Sequence, residues 1–161
     1  MDPKEIIEVF RRNVMEHYFD MSGRVSRKEF WYFVLASFVL YLGAAIIGSI
    51  LFSGLLTSLL GLALLLPMMG IGARRLQDIG RNGQLMWVWA GVTLVMNVIG
   101  LLAAMTGPFG AVGFLFFFLS IGWLISLAML VISVVLIYFW IQPGTAGPNE
   151  FGPDPLPSAA K

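Results

Sequence analysis

Asp78 is the only carboxylate in a stretch, residues 66–84, that also carries Arg74, Arg75 and Arg81. If this stretch is helical, Asp78 lies one turn from each arginine, because residues three and four apart share a face. A carboxylate among several guanidiniums can fasten neighbouring segments as a shared ion pair. It can also leave spare positive charge to receive a phosphate or carboxylate. Arg24, Arg27 and Lys28 stand just ahead of the first long apolar run and add to the cationic side. The expected site is a basic cytoplasmic platform of Arg24, Arg27, Glu29, Arg74, Arg75, Asp78, Arg81 and Asn149. Its expected partners are membrane lipids with anionic headgroups, or a membrane or cytoplasmic protein. The plainer reading, arginines that only anchor helix ends at the cytoplasmic face, stays open beside it.

Other chemistry finds little support. His17 is the single histidine, and nothing in the sequence positions a partner that would make it a general base. Serines fall at caps and inside helices, where capping and packing account for them. No nucleophile elbow, phosphate-cradling loop or histidine–glutamate zinc motif is present. The absence of cysteine removes thiolate metal sites and disulfides. No cofactor and no metal are therefore expected. A net charge of +1 gives no basis for nucleic-acid binding. The apolar runs contain no ionisable acid or base, although an ion or proton path leaves such groups in the spans. The reading is a non-catalytic binding or assembly module. Its rivals are a small transporter or channel subunit and an enzyme acting on lipid headgroups with Asp78 or Asp20 as acid–base residue.

The elements that must position these residues follow from the apolar pattern. The chain is 58% hydrophobic and 12% charged, against roughly a quarter charged in an ordinary globular domain. Residues 30–73 form an unbroken uncharged stretch of 44 residues. That is about two bilayer crossings, so a turn at Ser53 and Gly54 is expected to divide it. The predicted fold is all-α and polytopic, with four transmembrane helices over about 26–52, 55–75, 84–104 and 111–141. Pro67 is the expected kink in the second span. The last run is too long for one perpendicular crossing, so it is either tilted or laid partly along the far interface. Ahead of the spans, residues 1–25 are expected to hold a cytoplasmic amphipathic interfacial helix, from Asp2 to about His17, and a turn. Its apolar stripe is Ile6, Ile7, Phe10, Val14 and Tyr18, with Glu8 and Arg12 paired on the wet side. Nothing in this segment resembles a cleaved secretory signal. Ser26 to Glu29 reads as a capping box that starts the first span. The proline- and glycine-rich tail, residues 142–161, is expected to be extended and irregular. Four crossings put every lysine and arginine on one side, which the positive-inside rule makes the cytoplasm, with both termini there.

Three blocks resemble the bacterial membrane proteins grouped as domain of unknown function 805. They are FDMSGRVSRKEFW at residues 19–31, Pro67 followed by ARRLQDIGR at 73–81, and Pro143-Gly144 with NEFGP at 149–153. The resemblance covers most of the chain in order and implies a multi-pass protein of the bacterial inner membrane. It brings no activity, because none is assigned to the family. The family usually places histidine before the aspartate, where this chain has Gln77. It has a small residue, glycine and tryptophan after the arginine, where this chain has Asn82, Gly83 and Gln84. An activity needing that imidazole is expected to be missing here.

Overall fold

A computed structural model describes residues 2–51 and 54–156. The first helix, α1 (Pro3–Met15), begins where Asp2 accepts a hydrogen bond from the Lys4 amide at 2.9 Å and Pro3 takes the first helical position. Its stripe docks instead of floating. Val9 and Asn13 are buried, and Phe10 stacks on Phe33 with ring centroids 5.4 Å apart. The helix ends two residues short of His17. Docking also redirects Arg12, which reaches past Glu8 to Glu29 on the next helix at 2.7 Å. The local pair loses because Glu29, largely covered where α1 docks, needs a cation where solvent is reduced.

Four helices are long and apolar enough to cross a membrane. They are α2 (Arg27–Ile50), α3 (Leu55–Asp78), α4 (Leu85–Met105) and a last helical run ending at Ile141. The expected turn at Ser53 and Gly54 has Ser53 outside the described residues. The start of α2 is capped by the Ser26 hydroxyl, which accepts from the Glu29 amide at 3.3 Å. Only this half of the capping box forms, since the Glu29 carboxylate turns to Arg12 and Asn13. Ser26→Ala is expected to cost about 1 kcal/mol and to speed amide exchange over residues 27–31. Unchanged exchange there would show that α2 does not depend on the cap.

The central helix is α3, whose sequence is the most deeply covered of the four spans. It continues three residues past Arg75, so Arg74, Arg75 and Asp78 all lie on its last turns. Pro67 lies inside it and cannot donate to the Ala63 carbonyl one turn back, which an apolar surround would leave unsatisfied. The Tyr18 hydroxyl donates to that carbonyl at 2.7 Å. The segment between α1 and α2 lies directly on α3: a Cβ at Gly70 would stand 2.8 Å from the Asp20 carbonyl oxygen.

The last run starts earlier than residue 111. A left-handed Gly107 (φ +61°) turns the chain out of α4 into α5 (Gly107–Phe117). A five-residue π-helical segment (Phe118–Gly122) then leads into α6 (Trp123–Ile141). Close packing concentrates at one end of the bundle. Phe30, Phe33, Met69, Ile71, Leu76, Met86, Leu136 and Trp140 are buried there. The opposite halves of the spans present large apolar side chains outward, as helices facing lipid do.

Candidate functional site: a buried ionic hub under a tail strap

At the packed end, α3 delivers its charges into the protein. Arg75 is 0%, Asp78 3% and Arg74 5% exposed. These three are therefore enclosed by protein and are not open faces of a basic platform. Charge this deep persists only when paired and hydrogen-bonded, and the Asp78 carboxylate is shared between two guanidiniums. Arg24 approaches Oδ1 through Nε and Nη2, each at 3.0 Å. Arg75, one turn back on α3, donates through Nη1 to Oδ2. Each oxygen thus meets a different arginine, one local and one from 54 residues upstream.

The remaining donors of Arg24 and Arg75 go to the last turn of α6 and the chain that follows it. The last carbonyls of a helix have no intrahelical partner and carry the negative end of its dipole. Arg75 supplies them, donating from Nε to the Trp140 carbonyl at 3.1 Å and from Nη2 to that of Gln142. Arg27 adds a long contact to the Ile141 carbonyl at 3.4 Å. Arg24 donates to the carbonyls of Thr145 and Gly147, each at 2.6 Å, and of Gly152 at 3.3 Å.

The tail is therefore a strap, folded back across Asp78, and not an extended segment. The Thr145 amide and hydroxyl both donate to the Asp78 backbone carbonyl, at 2.8 and 3.0 Å. Gly144 lies so close that a Cβ there would stand 2.2 Å from Oδ2. Asn149 donates from Nδ2 to the Gln77 carbonyl and to the Thr145 hydroxyl, each at 3.0 Å. It also closes a turn with Gly152 through two backbone bonds of 3.1 Å.

The other expected site residues divide. Arg74 does not reach Asp78. Its Nη2 donates to the buried Asn13 Oδ1 at 2.6 Å, and its Nε has no partner among the described residues. Glu29 belongs to this second cluster through Arg12 and Asn13. Arg81 is exposed and lies over the Phe139 ring, 5.0 Å from its centroid. Gln77 donates from Nε2 to the Met21 carbonyl at 2.9 Å, while its Oε1 is buried without a partner among the described residues. His17 gains a partner that sequence reasoning did not find, since its Nδ1 lies 3.1 Å from Asp20 Oδ2. The Ser22 hydroxyl and amide both donate to Asp20 Oδ1, at 2.7 and 3.0 Å. Partial burial pushes the Asp20 carboxyl up, but the Ser22 and His17 bonds and the Arg74 charge outweigh it and hold it below its usual range. Serine here serves the carboxylate and is not aligned with the imidazole. Among the described residues, no group of three or more histidine, aspartate or glutamate side chains could hold a metal ion.

Sequence reasoning missed Asn13, Gly144, Thr145 and the Trp140 carbonyl. Only the Pro143-Gly144 block carried a signal, as part of a resemblance and without a stated role.

Beside the hub lies a cavity of about 340 Å³. Ser26, Arg27 and Lys28 form one wall, residues 143–146 and 154–156 the other, and Asp78 part of the floor. Arg27 and Lys28 are exposed, with Lys28 paired to Glu5.

Four apolar spans gathered at one end around a sealed ionic hub define a polytopic α-helical membrane protein. Residues 18–153 match the family described as "Protein of unknown function (DUF805)", and the chain belongs to that family. It is 30% identical over 148 residues to "Inner membrane protein YhaH" of Escherichia coli K12, covering 88% of this chain and 92% of that one. It is 33% identical over 147 residues to "Inner membrane protein YhaI" of the same strain, covering 89% and 92%. No solved structure matches the chain. These relatives and the four spans make it an integral protein of the inner-membrane kind.

Proposed function

We propose that the protein is a non-catalytic binding or assembly module whose cap faces the cytoplasm and engages anionic lipid headgroups. The observation that carries this reading is the division of charge at the packed end. Asp78 is consumed internally by Arg24 and Arg75, whereas Arg27, Lys28 and Arg81 stay exposed on the rim. Surface cations next to a membrane attract anionic headgroups by about 1 kcal/mol each. The cavity beside the α2 start gives a phosphate room near two of them. Of the two carboxylates in its lining, Asp78 is offset by its two guanidiniums and Asp154 accepts hydrogen bonds from the Gly147 and Leu156 amides. The same engagement speaks against Asp78 as the acid–base residue of a headgroup enzyme: a carboxylate held at both oxygens by cations is a poor proton shuttle. Orientation follows from charge, with both termini on the side that bears the lysines and arginines.

The test is native mass spectrometry of protein released from nanodiscs of mixed phosphatidylethanolamine and phosphatidylglycerol. The wild type is expected to retain phosphatidylglycerol above its share of the bilayer, and the Arg27→Gln/Lys28→Gln/Arg81→Gln variant to lose that excess. Equal retention of both lipids by the wild type would refute the reading.

A further inference from the structure

The strap is a small folded unit in its own right. Asn149 and Gly152 exchange two backbone bonds of 3.1 Å, and the Phe151 amide donates to Asn149 Oδ1 at 2.9 Å. Asp154 accepts from the Gly147 and Leu156 amides at 2.9 and 3.0 Å. Left-handed Gly147 (φ +77°) and Gly152 (φ +141°) shape the turns between them. All of these bonds lie inside the strap and would travel with it.

Its hold on the bundle is of another kind. None of residues 142–156 is buried, so no apolar anchor fastens the strap, and segments held by exposed hydrogen bonds are the ones that open most readily. The ties are polar. Thr145 donates to the Asp78 carbonyl, Asn149 donates to the Gln77 carbonyl, and Arg24 gathers the carbonyls of Thr145, Gly147 and Gly152. One guanidinium is the main latch.

Charge is sorted across that latch. Residues 142–156 carry Glu150 and Asp154 and no lysine or arginine, whereas the face they cover presents Arg24, Arg27 and Lys28. The strap thus sits where an acidic ligand would. Its bonds to Arg24 use neutral acceptors, and a charged acceptor bonds a guanidinium about twice as strongly. The Arg24 side chain is only 1% exposed, with its Nη donors turned to the strap, so a ligand reaches them by displacing the strap. An approach exists, because the cavity of about 340 Å³ separates Arg27 and Lys28 from residues 143–146.

We propose that the strap is a displaceable lid: an anionic phosphate group entering beside Arg27 and Lys28 takes the Arg24 donors from the Thr145, Gly147 and Gly152 carbonyls, and the strap swings out about Pro143 and Gly144 with its internal bonds intact. Arg24 Nε stays on Asp78. The lid regulates the cap described above and rests on the reading of that cap as an anion-binding face. The phosphate group comes from a lipid headgroup or from solution, and the experiment separates the two.

The experiment follows residue-resolved amide exchange of the full-length protein at one ionic strength in phosphatidylethanolamine nanodiscs, in the same nanodiscs with inorganic phosphate, and in mixed phosphatidylethanolamine/phosphatidylglycerol nanodiscs. Displacement predicts that the Thr145 amide, which bonds the bundle, exchanges about tenfold faster. The Asn149 and Gly152 amides, which bond within the strap, keep their rates. Acceleration by phosphatidylglycerol alone assigns the group to a lipid headgroup, and acceleration by inorganic phosphate assigns it to a soluble ligand. Binding coupling is reciprocal, so Gly144→Ala, once its strap is open, is expected to retain phosphatidylglycerol in native mass spectra at about a tenfold lower share of the bilayer. Where that variant keeps its strap closed, wild-type exchange decides. A wild type that retains excess phosphatidylglycerol while Thr145 exchange is unchanged or slowed would overturn the lid and leave the cap reading standing. Phosphate-driven acceleration without excess retention would keep the lid and remove the lipid. Neither retention nor acceleration would overturn both. Acceleration of Asn149 and Gly152 together with Thr145 would mean that the strap unfolds, and would overturn the lid as well.

Discussion

Asp78→Asn is expected to melt well before Arg81→Gln when the two are compared in the same detergent. Removing one member of a buried charge network leaves its partners unpaired, at about 3–5 kcal/mol, which for a chain of this size is on the order of 10 °C. The asparagine amide keeps the size of the carboxylate but cannot neutralise Arg24 and Arg75, which would then face each other in a region of near-zero exposure. Arg81 is exposed and rests on one ring, a contact of about 0.5–1 kcal/mol. A topology anchor alone predicts the reverse order, because losing an acid on the positive side only strengthens orientation. Equal or later melting of Asp78→Asn would therefore leave the anchor reading standing.

Gly144→Ala is expected to release the strap while sparing the spans. The added methyl would fall 2.2 Å from Asp78 Oδ2. The carboxylate cannot swing away, since both of its oxygens are gripped by guanidiniums. The tail must move instead, and with it go the Thr145 bonds to the Asp78 carbonyl and the Arg24 bonds to Thr145, Gly147 and Gly152. Hydrogen exchange should accelerate by two orders of magnitude or more at the Thr145 amide, about 3 kcal/mol for a few lost bonds, with exchange in α2 and α4 unchanged. Wild-type protection at Thr145 would mean that the strap does not depend on that close approach.

The sequence made some of this arrangement legible and hid the rest for physical reasons. Uncharged runs of bilayer length announce spans, because burying charge in hydrocarbon is costly. The caps at Asp2 and Ser26 are local and form, although Glu29 leaves the second capping box half made. What sequence cannot show is cover. Arg75 and Asp78 look like any arginine and aspartate at the end of a span until a tail 67 residues further on folds over them. Spacing alone put Arg74, Arg75 and Arg81 within reach of Asp78, but α1 draws Arg74 to Asn13 and α6 offers Arg81 a ring. In the same way Pro67 was legible as a kink, yet nothing local named Tyr18 as the donor to the Ala63 carbonyl it leaves unpaired. The Glu8–Arg12 pair was the best local choice, and docking provided a better one in Glu29.

The central claim is that Arg24 and Asp78, far apart in the chain, act as one unit that closes the cap. A double-mutant cycle measures this directly, from the stabilities of Arg24→Gln, Asp78→Asn and the double variant in one detergent. Groups sharing a buried network couple by about 0.5–3 kcal/mol, whereas independent sites add. The account predicts a double variant destabilised by clearly less than the sum of the two single changes, because removing Arg24 also removes one of the stranded cations. A double variant destabilised by the sum of the two single changes would contradict it.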